Sequence, residues 1–330
     1  MQPADAVWAP RWRGRPGRLE VWYTTLTDPR TGTGAWLHTE LVAPADGAPA
    51  FAHGWVAVFP PGAAPLVDRF GPRDVVASAP RRAPSLPEIE SGPRVHAGQS
   101  RGASWTLTAH WPGSPLYTFP RWSWQHDVLP AAQLVATPGA RYDGTICIAG
   151  QEFVFSDARG ASSRIYGTGN AHRWAWLHAD LDDDTTLEAV AAVSHLTPLR
   201  RLAPLTFVRM RTPAGDLPAV RGLSGPARWH ADIARGSWTA AGPLAAGQRL
   251  RIAVRLPTER TVTLDYAEPR GHAVRCSNSE RADAVVEWKR RAGRRWVTVR
   301  SWQLRGTAHA EIGGAADQPV EPGSDSGLDK

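Results

Sequence analysis

The sequence contains few of the residues that would place it in several large protein classes. Its two cysteines, Cys147 and Cys276, are too few for a disulfide framework and lack metal-ligand spacing. It has no apolar run of roughly 18 residues, the length that a membrane-spanning helix needs. Residues 1–18 lack the apolar core of a signal peptide. We therefore expect a cytoplasmic protein without a membrane span.

Lysine is almost absent, although the formal net charge is +7. Among the 38 basic residues only Lys289 and Lys330 are lysines, and the others are arginines. Together with abundant Ala, Gly and Pro, this bias is typical of GC-rich codon usage. The densest basic cluster, residues 289–295, straddles an expected hairpin turn, where charges face solvent. Contact with phosphate or an acidic partner stays open there, but nucleic-acid binding is the weakest functional hypothesis.

Tryptophan, by contrast, is over-represented. The chain has 16 Trp against seven Phe and five Tyr. Each indole buries a large area and offers a π face to cations and polyenes. Core packing explains only part of this excess, which therefore indicates an aromatic-lined cavity.

Short segments of alternating apolar and polar residues, separated by turn residues, predict an all-β protein. The predicted strands lie near 19–27, 34–42, 51–59, 104–111, 116–124, 141–148, 151–156, 172–181, 186–194, 204–211, 227–233, 236–241, 248–256, 259–267, 284–291 and 295–304. Ala292-Gly293 is expected to join the last two as a tight turn. So many strands with almost no helix leave sandwiches and barrels as the candidate architectures.

Two regions interrupt this pattern. Residues 60–103, rich in Pro, Gly, Ala and Arg, predict a long excursion with only short strands. The best helix candidate is a short turn that opens at Asn278 or Ser279.

An internal repeat suggests two related β units. The segment from Ala35 to Leu41 recurs from Ala175 to Leu181 with five of seven positions identical. We place the boundary in the crossing segment near residues 128–140. The expected organisation is an N-terminal arm (1–18), two β domains (19–135 and 136–312) and a disordered tail (313–330).

The two repeated strands each have one aromatic and polar face, because successive side chains point to opposite sides of a strand. One strand aligns Trp174, Trp176, His178 and Asp180, and its counterpart aligns Trp36, His38 and Glu40; the opposite faces are aliphatic. In a barrel, such a face lines a ligand cavity, because buried imidazoles and carboxylates need partners or water. The alternatives are a face turned to solvent or structural His–carboxylate pairs between strands.

Other motifs carry weaker signals. Residues 98–102 match the Gly-x-Ser-x-Gly pattern of hydrolases, but that chemistry needs a strand before the serine and a helix after it. The 11 histidines include no compact ligand set, so we expect no metal site. Asp182, Asp183 and Asp184 are most simply a charged turn at the end of a strand.

Two segments resemble a known family. Residues 162–181 (SSRIYGTGNAHRWAWLHADL) are similar to the tocopherol cyclase and carotenoid 1,2-hydratase (hydroxyneurosporene synthase) group, whose members have a Tyr- and Gly-containing stretch before a Trp-x-Trp strand. Residues 19–34, with Glu20, Trp22 and Tyr23, resemble the first strand of these proteins. Fungal Diels–Alderases have a similar layout. The resemblance implies two tandem lipocalin-like antiparallel β-barrels.

The resemblance also implies cofactor-free chemistry on a hydrophobic small molecule, an isoprenoid or a polyketide. We predict a cyclase, hydratase or isomerase, with Diels–Alder-type cyclisation included. The expected acid is Asp180 or Glu40, with His178 or His38 as its hydrogen-bond partner, since a carboxyl among indoles would stay neutral. The expected substrate-binding residues are Trp22, Tyr23, Trp36, Trp124, Trp174 and Trp176. The alternative is a non-catalytic carrier for a hydrophobic ligand.

Overall fold

A computed structural model describes residues 3–75, 89–127, 129–195, 202–218 and 225–315. In these ranges the chain forms 20 β-strands and two short α-helices, α1 (Pro3–Trp8) and α2 (Arg121–His126). Neither described helix has the length and apolar character needed to cross a membrane. The all-β class predicted from the sequence is confirmed.

The first sheet contains the first ten strands. They are β1 (Arg18–Thr27), β2 (Gly34–Ala43), β3 (Phe51–Phe59), β4 (Leu66–Asp74), β5 (Ile89–Ser91), β6 (Val95–Gln99), β7 (Ala103–His110), β8 (Ala131–Val135), β9 (Ala140–Ile148) and β10 (Gln151–Gly167). Their order is β4-β3-β2-β1-β10-β9-β7-β6-β5, and β8 also pairs with β10. All these pairings are antiparallel.

The second sheet contains the other ten strands. They are β11 (Arg173–Asp180), β12 (Thr186–Val193), β13 (Leu205–Thr212), β14 (Gly215–Leu217), β15 (His230–Ala234), β16 (Ser237–Ala245), β17 (Gln248–Arg255), β18 (Val262–Ala267), β19 (Ala273–Ala292) and β20 (Arg295–Ala315). Their order is β14-β13-β12-β11-β20-β19-β17-β16-β15, with β18 also paired to β19. Both sheets curl into half-barrels, which confirms the predicted tandem lipocalin-like architecture.

The two sheets have matching strand orders, but the two copies of the sequence repeat lie in strands that occupy non-equivalent positions. Position by position, β11 corresponds to β1 and β12 to β2. The repeated segments lie in β2 and β11, which occupy different places in their sheets. Both strands, however, pack an aliphatic face into their own barrel and turn an aromatic face to the other sheet. Their similarity therefore reflects a shared environment.

Two predicted local structures are wrong. Residues 116–124 do not form a strand: Leu116 makes a single bridge to Val135, and α2 follows. Pro120 precedes the helix and cannot donate to a strand ladder. The helical turn expected at Asn278 or Ser279 is instead part of β19. Its polar residues precede a register shift between Ser279 and Ala282 in the β19–β20 pairing, and such bulges favour residues that also occur in turns.

The chain passes from the first sheet to the second between β10 and β11. β9 and β10, which follow the predicted boundary at residues 135/136, pair within the first sheet, and the second sheet begins at Arg173. The predicted excursion at 60–103 contains β4, β5 and β6, while residues 76–88 lie outside the described ranges. Of the predicted tail, residues 313–315 belong to β20 and residues 316–330 are outside the described ranges.

The sheets pack against each other through the outer faces of their central strands. β1 and β2 are buried on both faces. One face of each strand points into its own barrel, and the other face contacts the second sheet. Hydrogen bonds cross this junction: Thr25 Oγ1 in β1 donates to Glu280 in β19, and Gln133 Nε2 in β8 donates to Glu188 Oε1 in β12 at 2.7 Å. The junction is therefore a separate core that contains buried polar groups and lies between the interiors of the two barrels.

Gly34 tests how tightly the two sheets are packed. A Cβ at this position would lie 2.6 Å from the Glu280 carbonyl oxygen and 2.8 Å from the Glu280 Cβ on the other sheet. We expect Gly34→Ala to lower the free energy of unfolding by about 1–3 kcal/mol, because an overpacked site must shift backbone. Denaturant unfolding measures this change.

Gly92→Ala is the matched control, since its added Cβ would meet only the Val95 carbonyl oxygen at 3.4 Å. Its stability should stay close to that of the unchanged protein. Equal stability of the two variants would contradict a close-packed junction.

Candidate functional site

A cavity of about 160 Å³ lies at the junction of the two sheets. Its apolar wall comes from β1 and β10 of the first sheet, from β12 and β13 of the second, and from the segment before α2. The side chains of this wall are Val21, Ile165, Val190, Ala192, Phe119 and Phe207. Among the polar residues that line it are Tyr23, His38, Glu40, Gln133, Tyr266 and Glu311. The cavity thus belongs to neither barrel interior.

The first polar group in this wall is a carboxylate between two histidines. His38 Nε2 lies 2.9 Å from Glu40 Oε1, and His53 Nε2 on the neighbouring strand lies 3.1 Å from Glu40 Oε2. Burial alone would raise the pKa of Glu40, but hydrogen bonds from the two histidines, and their positive charge when they are protonated, outweigh it and lower the pKa to about 2. Glu40 is therefore ionised at neutral pH.

The His38 ring is held by a hydrogen bond at only one of its two nitrogens. Glu40 occupies the Nε2 side, while Nδ1 is buried and has no hydrogen-bond partner among the residues that the structure describes. The ring stacks on Tyr266 with centroids 5.3 Å apart and packs on Trp36 at 4.7 Å. An imidazole fixed by a carboxylate at one nitrogen has the arrangement of a general base at the other.

Glu311 in β20 is the second polar group, and its environment is the opposite of that around Glu40. Its partners are distant: Asn278 Nδ2 at 3.3 Å, and Trp174 Nε1 and Tyr266 Oη each at 3.5 Å. Burial raises the pKa of Glu311 above its ordinary value, and the Asn278 hydrogen bond and the positive charge of His38 when it is protonated only partly oppose this. A carboxyl of this kind holds its proton more readily and is suited to act as an acid.

The third polar group lies behind the indole of Trp176. Glu188 accepts hydrogen bonds from Trp176 Nε1 at 2.5 Å and Gln133 Nε2 at 2.7 Å, and its other oxygen lies 2.9 Å from His178 Nδ1. His178 Nε2 is 3.8 Å from Asp180 Oδ2. Burial opposes protonation of His178, but the two carboxylates raise its pKa to about 10. This histidine is therefore a buried cation next to Asp180 and Glu188.

The structure brings five of the ten predicted site residues to the cavity wall: Tyr23, His38, Glu40, Trp174 and Trp176. His178 and Asp180 lie behind that wall, and Trp36 stacks on Trp55 with centroids 6.1 Å apart. Burial raises the pKa of Asp180, but the charge of His178, 3.8 Å away, and the hydrogen bond from Thr186 outweigh this effect and lower the pKa. Asp180 therefore keeps its charge.

Trp22 and Trp124 lie away from the cavity, inside the first barrel. They belong to a cluster with Trp8 and Trp12 of the N-terminal arm, and the Arg164 guanidinium lies over the Trp22 ring at 4.4 Å. Glu20 pairs with Arg164 and accepts hydrogen bonds from the backbone of the arm. These residues close one end of the barrel.

Sequence reasoning missed Glu188, Gln133, Tyr266 and Glu311. A signal for Glu311 was nevertheless present: histidine followed two residues later by an acid occurs four times, at His38–Glu40, His178–Asp180, His230–Asp232 and His309–Glu311. Three of these pairs lie on strands that face the junction, whereas His230 and Asp232 are exposed on β15. Gln133 and Tyr266 carried no comparable pattern. In the described part of the chain no three His, Cys, Asp or Glu side chains are arranged to hold a metal ion.

Comparison with known proteins adds three findings. Residues 92–314 match a family model described as tocopherol cyclase-like. The uncharacterized protein Rv0493c of Mycobacterium tuberculosis is 41% identical over 317 residues, which cover 96% of this chain and 92% of that protein. A protein described as AttH (NE1406) from Nitrosomonas europaea shares the fold with a TM-score of 0.53 at 13% identity, over 91% of this chain and 93% of its own.

Two further solved structures have the same fold. CghA, solved with Sch210972, gives a TM-score of 0.56 at 10% identity and covers 90% of this chain and 88% of its own. Kievitone hydratase from Nectria haematococca gives 0.52 at 10% identity, over 90% and 89%. At these identities the likeness concerns the fold.

The buried cation His178 should make stability depend on pH. Between the ordinary value of 6.5 and about 10, the folded state holds a proton on His178 that the unfolded state has lost. This contribution is fully present below pH 6.5 and disappears as pH rises toward 10. His178→Gln should therefore flatten the decline of unfolding free energy across that window, as denaturant titrations at a series of pH values would measure.

His230→Gln, at an exposed histidine, is the control and should leave the decline unchanged. If His178→Gln unfolds with the same pH dependence as the unchanged protein, His178 is not a cation in the folded state.

Proposed function

Because the chain belongs to the tocopherol cyclase-like family, we propose that it is a cofactor-independent cyclase or hydratase acting on a bulky hydrophobic isoprenoid or polyketide. The observation that carries the proposal is Glu311, a buried carboxyl of raised pKa in a cavity walled by indoles and phenols. The His38–Glu40 pair, which has the arrangement of a base, lines the same cavity as this acid. One cavity thus holds an acid and a base.

The reaction begins with proton transfer from Glu311 to an alkene carbon. The carboxyl O–H bond breaks, a C–H bond forms, and the adjacent carbon becomes a carbocation. Trp174, Trp176 and Tyr266 line the cavity, and their π faces stabilise positive charge that develops beside them. Because the wall is mostly apolar, little water competes with these rings.

The second step adds an oxygen nucleophile to the carbocation. Water gives a hydration product, and a hydroxyl of the substrate itself gives a ring. In either case the oxygen must lose a proton, and the neutral form of His38, whose Nε2–H donates to Glu40, accepts it at Nδ1. Proton exchange through solvent then returns Glu311 and His38 to their starting states.

This assignment redistributes the roles expected from the sequence. Glu40 becomes the carboxylate that orients His38, because its pKa of about 2 leaves it no proton to give. Asp180 and His178 become supports of the wall through Glu188 and Trp176. Kievitone hydratase, whose name states a hydration, has the same fold, so this architecture is compatible with such chemistry.

Glu311→Gln tests the acid. The substitution keeps the shape and removes the proton, so turnover of a panel of polyenes and prenylated phenols should fall by about a hundredfold or more. Reactions run in D2O and followed by mass spectrometry should place one solvent-derived deuterium on carbon in the product of the unchanged protein. Activity should also fall as pH rises past the raised pKa of Glu311.

Glu259→Gln, at a side chain 74% exposed, is the matched control and should keep full activity. Product without carbon-bound deuterium would contradict proton transfer and favour a pericyclic closure. Ligand that binds with quenched tryptophan fluorescence but returns unchanged would favour the second candidate, a carrier, since the apolar wall serves binding alone equally well.

A further inference from the structure

The longest strands of the protein end in a hairpin that reaches past the second sheet. We call residues 289–300 the ribbon tip. β17 pairs with β19 only as far as Gln248–Arg290, and β11 pairs with β20 only from His309 onward. Among the described residues, the outer edge of β20 from 295 to 308 therefore has no neighbouring strand.

The ribbon tip exposes apolar side chains on a two-stranded element that has no core of its own. Every residue from 290 to 301 is exposed. Trp296, Val297 and Val299 are 46%, 52% and 52% exposed, and they follow one another within four positions. A strand edge of this kind is a site for association unless a partner or charge protects it.

The charges of the ribbon tip have one sign. Lys289, Arg290, Arg291, Arg294, Arg295 and Arg300 lie within twelve residues, and no acidic residue occurs between Trp288 and Ala310. The ion pairs of this segment lie at its base, between Lys289 and Glu287 and between Arg300 and Asp182. The far end of the hairpin is thus both apolar and cationic.

The base of the ribbon tip is fixed to the body of the protein. Trp302 Nε1 donates to Asp182 Oδ2 at 3.1 Å. The Arg300 guanidinium lies 3.1 Å from the same carboxylate oxygen and also lies over the Trp302 ring. This anchor uses the acidic turn between β11 and β12. It holds the hairpin in a defined direction, so its exposed residues are presented together.

We propose that the ribbon tip docks the protein on an anionic membrane surface. Trp296, Val297 and Val299 enter the headgroup region, and the arginines contact lipid phosphates and anionic headgroups. A second copy of the chain is disfavoured as the occupant, because it would bring two sets of like charges together. Nucleic acid would match the arginines but would gain little from two exposed valines. The inference rests on the hairpin alone and is independent of the proposed function.

Vesicle sedimentation with the full chain tests the docking. Vesicles of phosphatidylcholine containing phosphatidylglycerol should bind the protein at low salt, and vesicles of phosphatidylcholine alone should bind it weakly. Raising the salt concentration should release it, because the surface potential is screened. Replacing Arg290, Arg294 and Arg295 by Gln should lower partitioning by roughly a hundredfold, at about a factor of five per arginine.

Replacing Trp296, Val297 and Val299 by Ser should lower partitioning by at least about tenfold at unchanged charge. The matched controls are the exposed residues Arg15, Arg101 and Arg235 changed to Gln, and Val154→Ser, at a valine 55% exposed on the first sheet. Both controls should bind vesicles as the unchanged protein does.

Three results would overturn the proposal. Equal binding by the ribbon-tip variants and their controls would show that this hairpin is not the contact. Binding to a DNA or RNA oligonucleotide without binding to vesicles would assign the arginines to nucleic acid. Self-association that disappears in the Trp296, Val297 and Val299 variant, without vesicle binding, would identify a second copy as the occupant.

Discussion

The structure depends on how ionisable groups are accommodated between two sheets that exclude water. A carboxylate or imidazole at this junction must find a partner or give up its charge, because the cost of an unpaired buried charge is several kcal/mol. Glu40 lies between two histidines that lower its pKa, whereas Glu311, whose donors among the described residues are distant, has a raised pKa. The same burial thus leaves a carboxyl of raised pKa in the wall of the cavity.

The sequence allowed the strands and their faces to be predicted more fully than the site. Period-2 alternation correctly separated Trp36, His38 and Glu40 from their aliphatic neighbours, because each face of a strand meets a different environment. Alternation does not predict what each face of a strand contacts. In the structure the aromatic faces contact the other sheet and do not point into a barrel interior. Gln133 and Tyr266 come to the cavity through strand pairings that are distant along the chain, so no local pattern identifies them.

The interiors of the two barrels differ in composition, and this difference explains why Trp22 and Trp124 lie away from the cavity that the sequence predicted them to line. The second barrel has a largely aliphatic core, while the first encloses Arg164, Glu20 and the arm that carries Trp8 and Trp12. Trp22 packs in this interior because it shares the inward face of β1 with Glu20, whereas Tyr23, one residue later, faces the cavity. A one-residue difference along a strand therefore separates an aromatic side chain inside the barrel from one that lines the cavity.

The cavity is bounded by outward faces, so its walls are not the packing partners of either aliphatic core. Val190 and Phe207 can change in size without altering the side chains that fill the second barrel, since those point the other way from the same strands. The shape of the cavity is therefore set by side chains that neither barrel needs for its internal packing. Substitutions in its wall can change that shape while each barrel continues to fold by the same rules.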